Sequence, residues 1–107
     1  MKWILALLLL QLLGSPSCSK EEMPDCIRRM TEAPATESPQ RIDVYEYRGK
    51  TVYFVTEDCC DKFNTVYDER CNAICAPSGG ITGQGDRKCP DFARDAKFVR
   101  VLWEKGR

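Results

Sequence analysis

The stretch IDVYEYRGKTVYFV, residues 42–55, decides the fold. Two runs rich in β-branched and aromatic residues, 42–47 and 51–55, flank Arg48-Gly49-Lys50, whose glycine accepts positive φ. That combination predicts an antiparallel hairpin. Downstream, residues 64–67 and 73–76 flank Asp68-Glu69-Arg70-Cys71-Asn72, where Asp and Asn favour a turn. A second hairpin is therefore expected, followed by a last strand over 98–103. Upstream, Pro24 suits a first helical position, Asp25 and Arg28-Arg29 suit the two ends of the helix dipole, and Cys26, Ile27 and Met30 share one face. The spacing predicts a short helix over 24–31. A helix of that length is marginal alone, so Cys26 is expected to tether it to the sheet. Residues 34–40, polar and punctuated by proline, form a connection. The fold class is α+β: a small disulfide-rich domain with a short N-terminal helix packed on an antiparallel sheet of about five strands. In strands of this composition Tyr45, Tyr47, Tyr53, Phe54 and Trp103 are expected as core rather than as an exposed binding stripe.

The chain has 107 residues and seven cysteines. A domain this small buries only roughly 60–65 % of its unfolded surface, so staples worth about 2–4 kcal/mol each carry much of its stability. Met1-Lys2-Trp3 and the apolar run 4–13, broken by Gln11, read as the basic and hydrophobic regions of a signal peptide. The run is too short to span a bilayer, which takes about 20 residues. Small residues at Ser15 and Ser17 suit either an ordinary signal peptidase or a lipoprotein peptidase that cuts before a diacylated Cys18, although Ser15 stands where lipoprotein boxes usually carry Leu. Cysteine parity favours the second. Without Cys18, six remain: Cys26, Cys59, Cys60, Cys71, Cys75 and Cys89, an even set able to pair completely. The organisation is then a leader over 1–17, a lipid anchor on Cys18 carrying acyl chains such as palmitate, a tether over 18–25 and the stapled domain over 26–107. Adjacent Cys59 and Cys60 point to opposite sides if that segment is extended and then call for different partners; a bridge between them is the alternative, at a cost in strain, and six cysteines permit about fifteen pairings that sequence does not rank.

Formal charge is balanced, 16 basic against 16 acidic residues, and interspersed; nothing in it draws the chain to nucleic acid or to an anionic membrane surface. Histidine is absent, which excludes Ser-His-Asp and Cys-His nucleophiles, His-containing zinc sites and histidine proton shuttles. The remaining cysteines lack two Cys-x-x-Cys knuckles, and Asp86 and Asp91 lie in no EF-hand pattern, so no metal and no cofactor is expected. The loop Pro77-Ser78-Gly79-Gly80-Ile81-Thr82-Gly83-Gln84-Gly85-Asp86 matches neither the dinucleotide fingerprint nor a P-loop. Its glycines instead permit close backbone packing or an unusual turn, with Cys75 and Cys89 holding its ends. Gly79, Gly80, Thr82, Gly83, Gly85 and Asp86 form the candidate binding loop.

From Cys26 onward, above all in Glu46-Tyr47-Arg48-Gly49-Lys50-Thr51-Val52-Tyr53, Cys59-Cys60-Asp61, residues 74–86 and Cys89-Pro90-Asp91-Phe92, the chain resembles a family of small Bacteroidota lipoproteins catalogued as a domain of unknown function. The resemblance implies no catalytic residue. Cys71 departs from it, standing where that family carries Gly or another turn former. Cys18-Ser19-Lys20-Glu21-Glu22 is similar to the acidic tag of lipoproteins displayed on the outer-membrane surface. The expectation is a non-enzymatic cell-envelope lipoprotein, held to the outer membrane by its lipid and binding a protein or glycan. The alternative is a secreted protease-inhibitor-like domain presenting the loop 77–88, with Arg87-Lys88 as specificity residues.

Overall fold

The computed structural model describes residues 23–59 and 61–106. The leader, Cys18 and Cys60 lie outside them. Helix α1 (Asp25–Glu32) precedes strands β1 (Arg41–Tyr47), β2 (Lys50–Thr56), β3 (Phe63–Tyr67) and β4 (Ala73–Gly79), then a one-turn helix α2 (Phe92–Asp95) and strand β5 (Lys97–Glu104). The strands form one sheet in the order β4-β3-β2-β1-β5, every neighbouring pair antiparallel.

The expected hairpin is the centre of this sheet. Tyr47 pairs with Lys50, leaving Arg48 and Gly49 as a two-residue turn, both with positive φ (54° and 76°), the turn whose twist suits a hairpin. Alternation along the pair then fills two faces. Ile42, Val44, Tyr53 and Val55 are buried on one face with Ile27, and Met30, Tyr67, Leu102 and Trp103 pack around them. Tyr47, Val52, Val66, Cys75, Cys89 and Phe92 make the core of the other, joined by Tyr45 and Phe54. Thus α1 covers the first face, while α2 and the segment before it cover part of the second. The aromatic strand residues serve as core, as their composition suggested: Tyr47 and Tyr53 are buried, and Tyr45, Phe54 and Trp103 partly so.

The helix begins at Asp25, with Pro24 as its cap rather than its first residue, and ends at Glu32. Its inner face is Ile27 between Cys26 and Met30, and its outer face carries Arg28 bonded to Asp25 at 2.8 Å. Cys26 tethers it as expected, through a disulfide to Cys71 in the β3–β4 turn. Cys71 has φ 70°, a left-handed geometry that glycine adopts most readily.

The second disulfide joins Cys75 to Cys89. Four of the six domain cysteines therefore bond one another, which corrects the expectation that Cys59 and Cys60 each reach a different one of them. Cys59 is exposed in the β2–β3 loop. Strand β4 runs three residues past its expected end at Ala76, because Pro77, lacking an N–H, is tolerated on an edge strand.

The antiparallel order gives the sheet two distinct ends. The β1–β2 and β3–β4 turns, the start of β5 and the Cys26–Cys71 bridge gather at one, here the turn end. The β2–β3 loop, the segment after β4 and the end of β5 gather at the other, the loop end. There Lys105 Nζ donates to Asp58 Oδ2 and to the Ala35 carbonyl, both at 2.8 Å.

Candidate functional site

The loop after β4 is built from backbone. The N–H of Gly80 donates to the Lys62 carbonyl at 3.0 Å, that of Gly83 to Gly80 at 3.2 Å, that of Gly85 to Gly79 at 3.0 Å and that of Asp86 to Ala76 at 2.8 Å. Such close approach requires glycine. A Cβ on Gly85 would overlap the carbonyl oxygen of Ala76, and one on Gly79 the carbonyl oxygen of Lys62; both residues have left-handed φ, 70° and 87°. A Cβ on Gly80 would enter the ring of Phe63. The loop thus folds back along the outer edge of β4, and the Cys75–Cys89 bridge closes it. Of the six residues expected to form a binding loop, Gly79, Gly80 and Gly85 shape it from inside. Thr82 accepts the Gln84 N–H at 3.3 Å, and Asp86 accepts the Lys88 N–H at 3.0 Å, which holds its carboxyl below the ordinary carboxylate range.

What this scaffold presents is Ile81, 95 % exposed, a residue the reading of the glycines passed over. Its signal was in the sequence: a large aliphatic side chain among glycines, outside any alternating run, has no core to enter. Phe63, half exposed at the start of β3, lies with its ring against Gly80, so the loop end carries two exposed apolar side chains, Phe63 and Ile81.

Arg87, offered as a specificity residue, has φ 65° and donates through Nη2 to Gln84 Oε1 at 2.7 Å. A loop that enters a protease as substrate does must run extended, like an added strand, and this one is left-handed at the residue concerned. Asp86 and Asp91 are not brought together as a cation site either. Asp91 accepts the Tyr47 hydroxyl at 2.8 Å and Arg48 Nη2 at 3.1 Å, and the first of these bonds in particular lowers its pKa. Burial, reinforced by that same bond, raises the pKa of Tyr47.

A separate open cleft of about 330 Å³ lies over the second face, lined by Tyr45, Phe54, Pro77, Ser78, Phe92 and Ala93. Its aromatic walls are mutually packed, with Tyr45 ring centroids 5.1 Å from Phe92 and 5.9 Å from Phe54. Beside it the carboxylate of Asp43, buried, receives both bonds of Arg41 Nε at 2.8 and 2.9 Å, so this polar pair is satisfied internally.

No curated protein and no solved structure matches the chain. Residues 28–105, from within α1 to just past β5, match a family described as "Domain of unknown function (DUF6970)". With all five strands, the Cys75–Cys89 bridge and the glycine loop inside that match, the chain belongs to this family, a domain of unknown function.

Proposed function

We propose that the chain is a cell-envelope lipoprotein, anchored by acyl chains on Cys18, whose domain is a non-enzymatic binding module. The observation that carries the binding half is the glycine loop: its backbone is locked to β4 and to Lys62, its ends are closed by a disulfide, and it holds Ile81 in water. A segment preorganised in this way meets a partner with little further loss of conformational entropy. The anchoring half is supported by the apolar leader, by Cys18 at the processing site and by the pairing of four of the six remaining cysteines within the domain. Among the described residues no helix is long and apolar enough to cross a membrane, so attachment would come from the lipid. The acidic residues after Cys18 support, on this reading, display at the outer surface of the outer membrane.

Intact mass spectrometry of the protein purified from envelopes tests the reading directly. The expected species begins at Cys18 and carries the added mass of acyl chains. A mature chain that begins elsewhere, or at Cys18 without that mass, would sink it.

A further inference from the structure

The second face of the sheet is covered only in part. The one-turn helix α2 seats Phe92 on it, and the open cleft of about 330 Å³ lies between α2 and β4. Its lining is aromatic: Tyr45, Phe54 and Phe92 pack ring against ring, and Phe98 on β5, half exposed, stands 5.6 Å from Tyr45 in an edge-to-face pair. Two hydroxyls interrupt this apolar surface, those of Tyr45 and Ser78. The second is set in place by its neighbours. The Glu57 N–H donates to Asn64 Oδ1 at 2.8 Å, which fixes the amide so that its Nδ2 donates to Ser78 Oγ at 3.0 Å. A hydroxyl that accepts there keeps its own proton to give, and neither the Tyr45 nor the Ser78 hydroxyl donates to another described residue.

We propose that this cleft is a binding site for a neutral sugar ring, one unit of a glycan, laid on Tyr45, Phe54 and Phe92 with its hydroxyls bonded to Tyr45 and Ser78. The ligand class follows from what the lining can satisfy. No charged side chain lines the cleft, and the charged residues around it are engaged: Arg41 with Asp43, Arg94 with Asp95 and Arg48 with Asp91, while Lys97 stands opposite Glu46. A charged ligand thus finds no unspent counter-ion. An acyl chain would cover two hydroxyls without bonding either, which costs free energy. A peptide strand needs unpaired backbone groups to add to, whereas those of β1 and β2 are paired within the sheet. A pyranose meets all three conditions, with C–H groups on its faces to cover the rings, hydroxyls around its edge and no charge. The size agrees, because the volume lies at the small end of ligand pockets, roughly 300–1,000 Å³, and the open side lets the rest of a glycan run out into water. The proposal rests on the binding-module reading only in assigning no reaction to the site; neither the anchor on Cys18 nor the glycine loop enters it.

The test is affinity electrophoresis in native gels cast with neutral polysaccharides: an α-glucan, a β-glucan, a mannan, a galactan and a xylan. The full-length chain carries Cys18→Ser, so that no detergent is present. At least one polysaccharide should retard it, increasingly with polysaccharide concentration. Y45F removes one hydroxyl and leaves the ring in place; it should weaken binding roughly two- to tenfold, the range for a single neutral hydrogen bond. S78A should act in the same direction, and the double variant should lose more than either. Circular dichroism checks that each variant is folded, and Y45F alone carries the test if S78A is not. R29A, exposed on α1 over the opposite face, should bind as wild type does. Retardation by none of the five polysaccharides would overturn the proposal and leave the binding-module reading in need of another ligand. Equal retardation of Y45F and wild type, or a loss with R29A as large as with Y45F, would overturn the cleft as the site while upholding a domain that binds glycans. A mature chain without acyl mass would sink the anchor reading alone, since retardation of the Cys18→Ser chain needs no lipid.

Discussion

At the scale of single residues, the loop end and the turn end are each held by one unforgiving position. Gly85 has left-handed φ and no room for a Cβ against the Ala76 carbonyl. Gly85→Ala should cost about 1–2 kcal/mol from its backbone conformation alone, and more from the displaced carbonyl. Urea denaturation should show the loss, and hydrogen exchange should show the Asp86 amide opening first. At the turn end Asp91 binds Tyr47 and Arg48, and its pKa is lowered from the ordinary 3.8. Such a group contributes stability that is present above the unfolded value and lost as pH falls through the folded one. Asp91→Asn should therefore be less stable than wild type near neutrality, and the difference should shrink between about pH 5 and about pH 2. A difference that stayed constant over that range would refute the assignment. The glycines were legible as backbone devices from their density alone, and Ile81 carried a signal as a lone aliphatic residue among them, though not the degree of its exposure. Exposure depends on where the loop comes to rest against β4, which is a matter of tertiary geometry.

At the scale of elements, alternation and turn chemistry placed all five strands and α1 within three residues of their ends. The central hairpin was read from the strongest signals, period-two burial and Arg48-Gly49. The short helix α2 was not read, because four residues give no helical period; Phe92 drives it by inserting into the aromatic core. Disulfide pairing was also out of reach, since it depends on which turns the register brings together. The two bridges close loops of different length, with sequence separations of 45 and 14. On chain entropy, replacing both Cys26 and Cys71 by Ser should cost about 4 kcal/mol, and replacing Cys75 and Cys89 about 3 kcal/mol. Equilibrium unfolding of the two double variants measures this order directly. Against a total of about 5–15 kcal/mol for a small domain, either loss leaves it fragile.

At the scale of the whole molecule, α1 and the α2 segment cover opposite faces of one sheet, so the domain has two thin half-cores rather than one thick one. Its stability then depends on its own bridges and not on the membrane. If the proposed Cys18 anchor is right, Cys18→Ser should leave the unfolding midpoint unchanged while moving the protein from the membrane to the soluble fraction; thermal unfolding and fractionation of the same preparation check both halves. The outer strand β5 adds a last property. It pairs with β1 through two irregularities, which skip Val99 and Leu102, and its exposed side chains Phe98, Val99 and Val101 are interrupted by Arg100. A straight strand of that composition would offer a continuous row of amides and apolar side chains to the next molecule. With two extra residues the row is broken and twisted, so crowded copies of this domain can stand shoulder to shoulder without zipping into fibres.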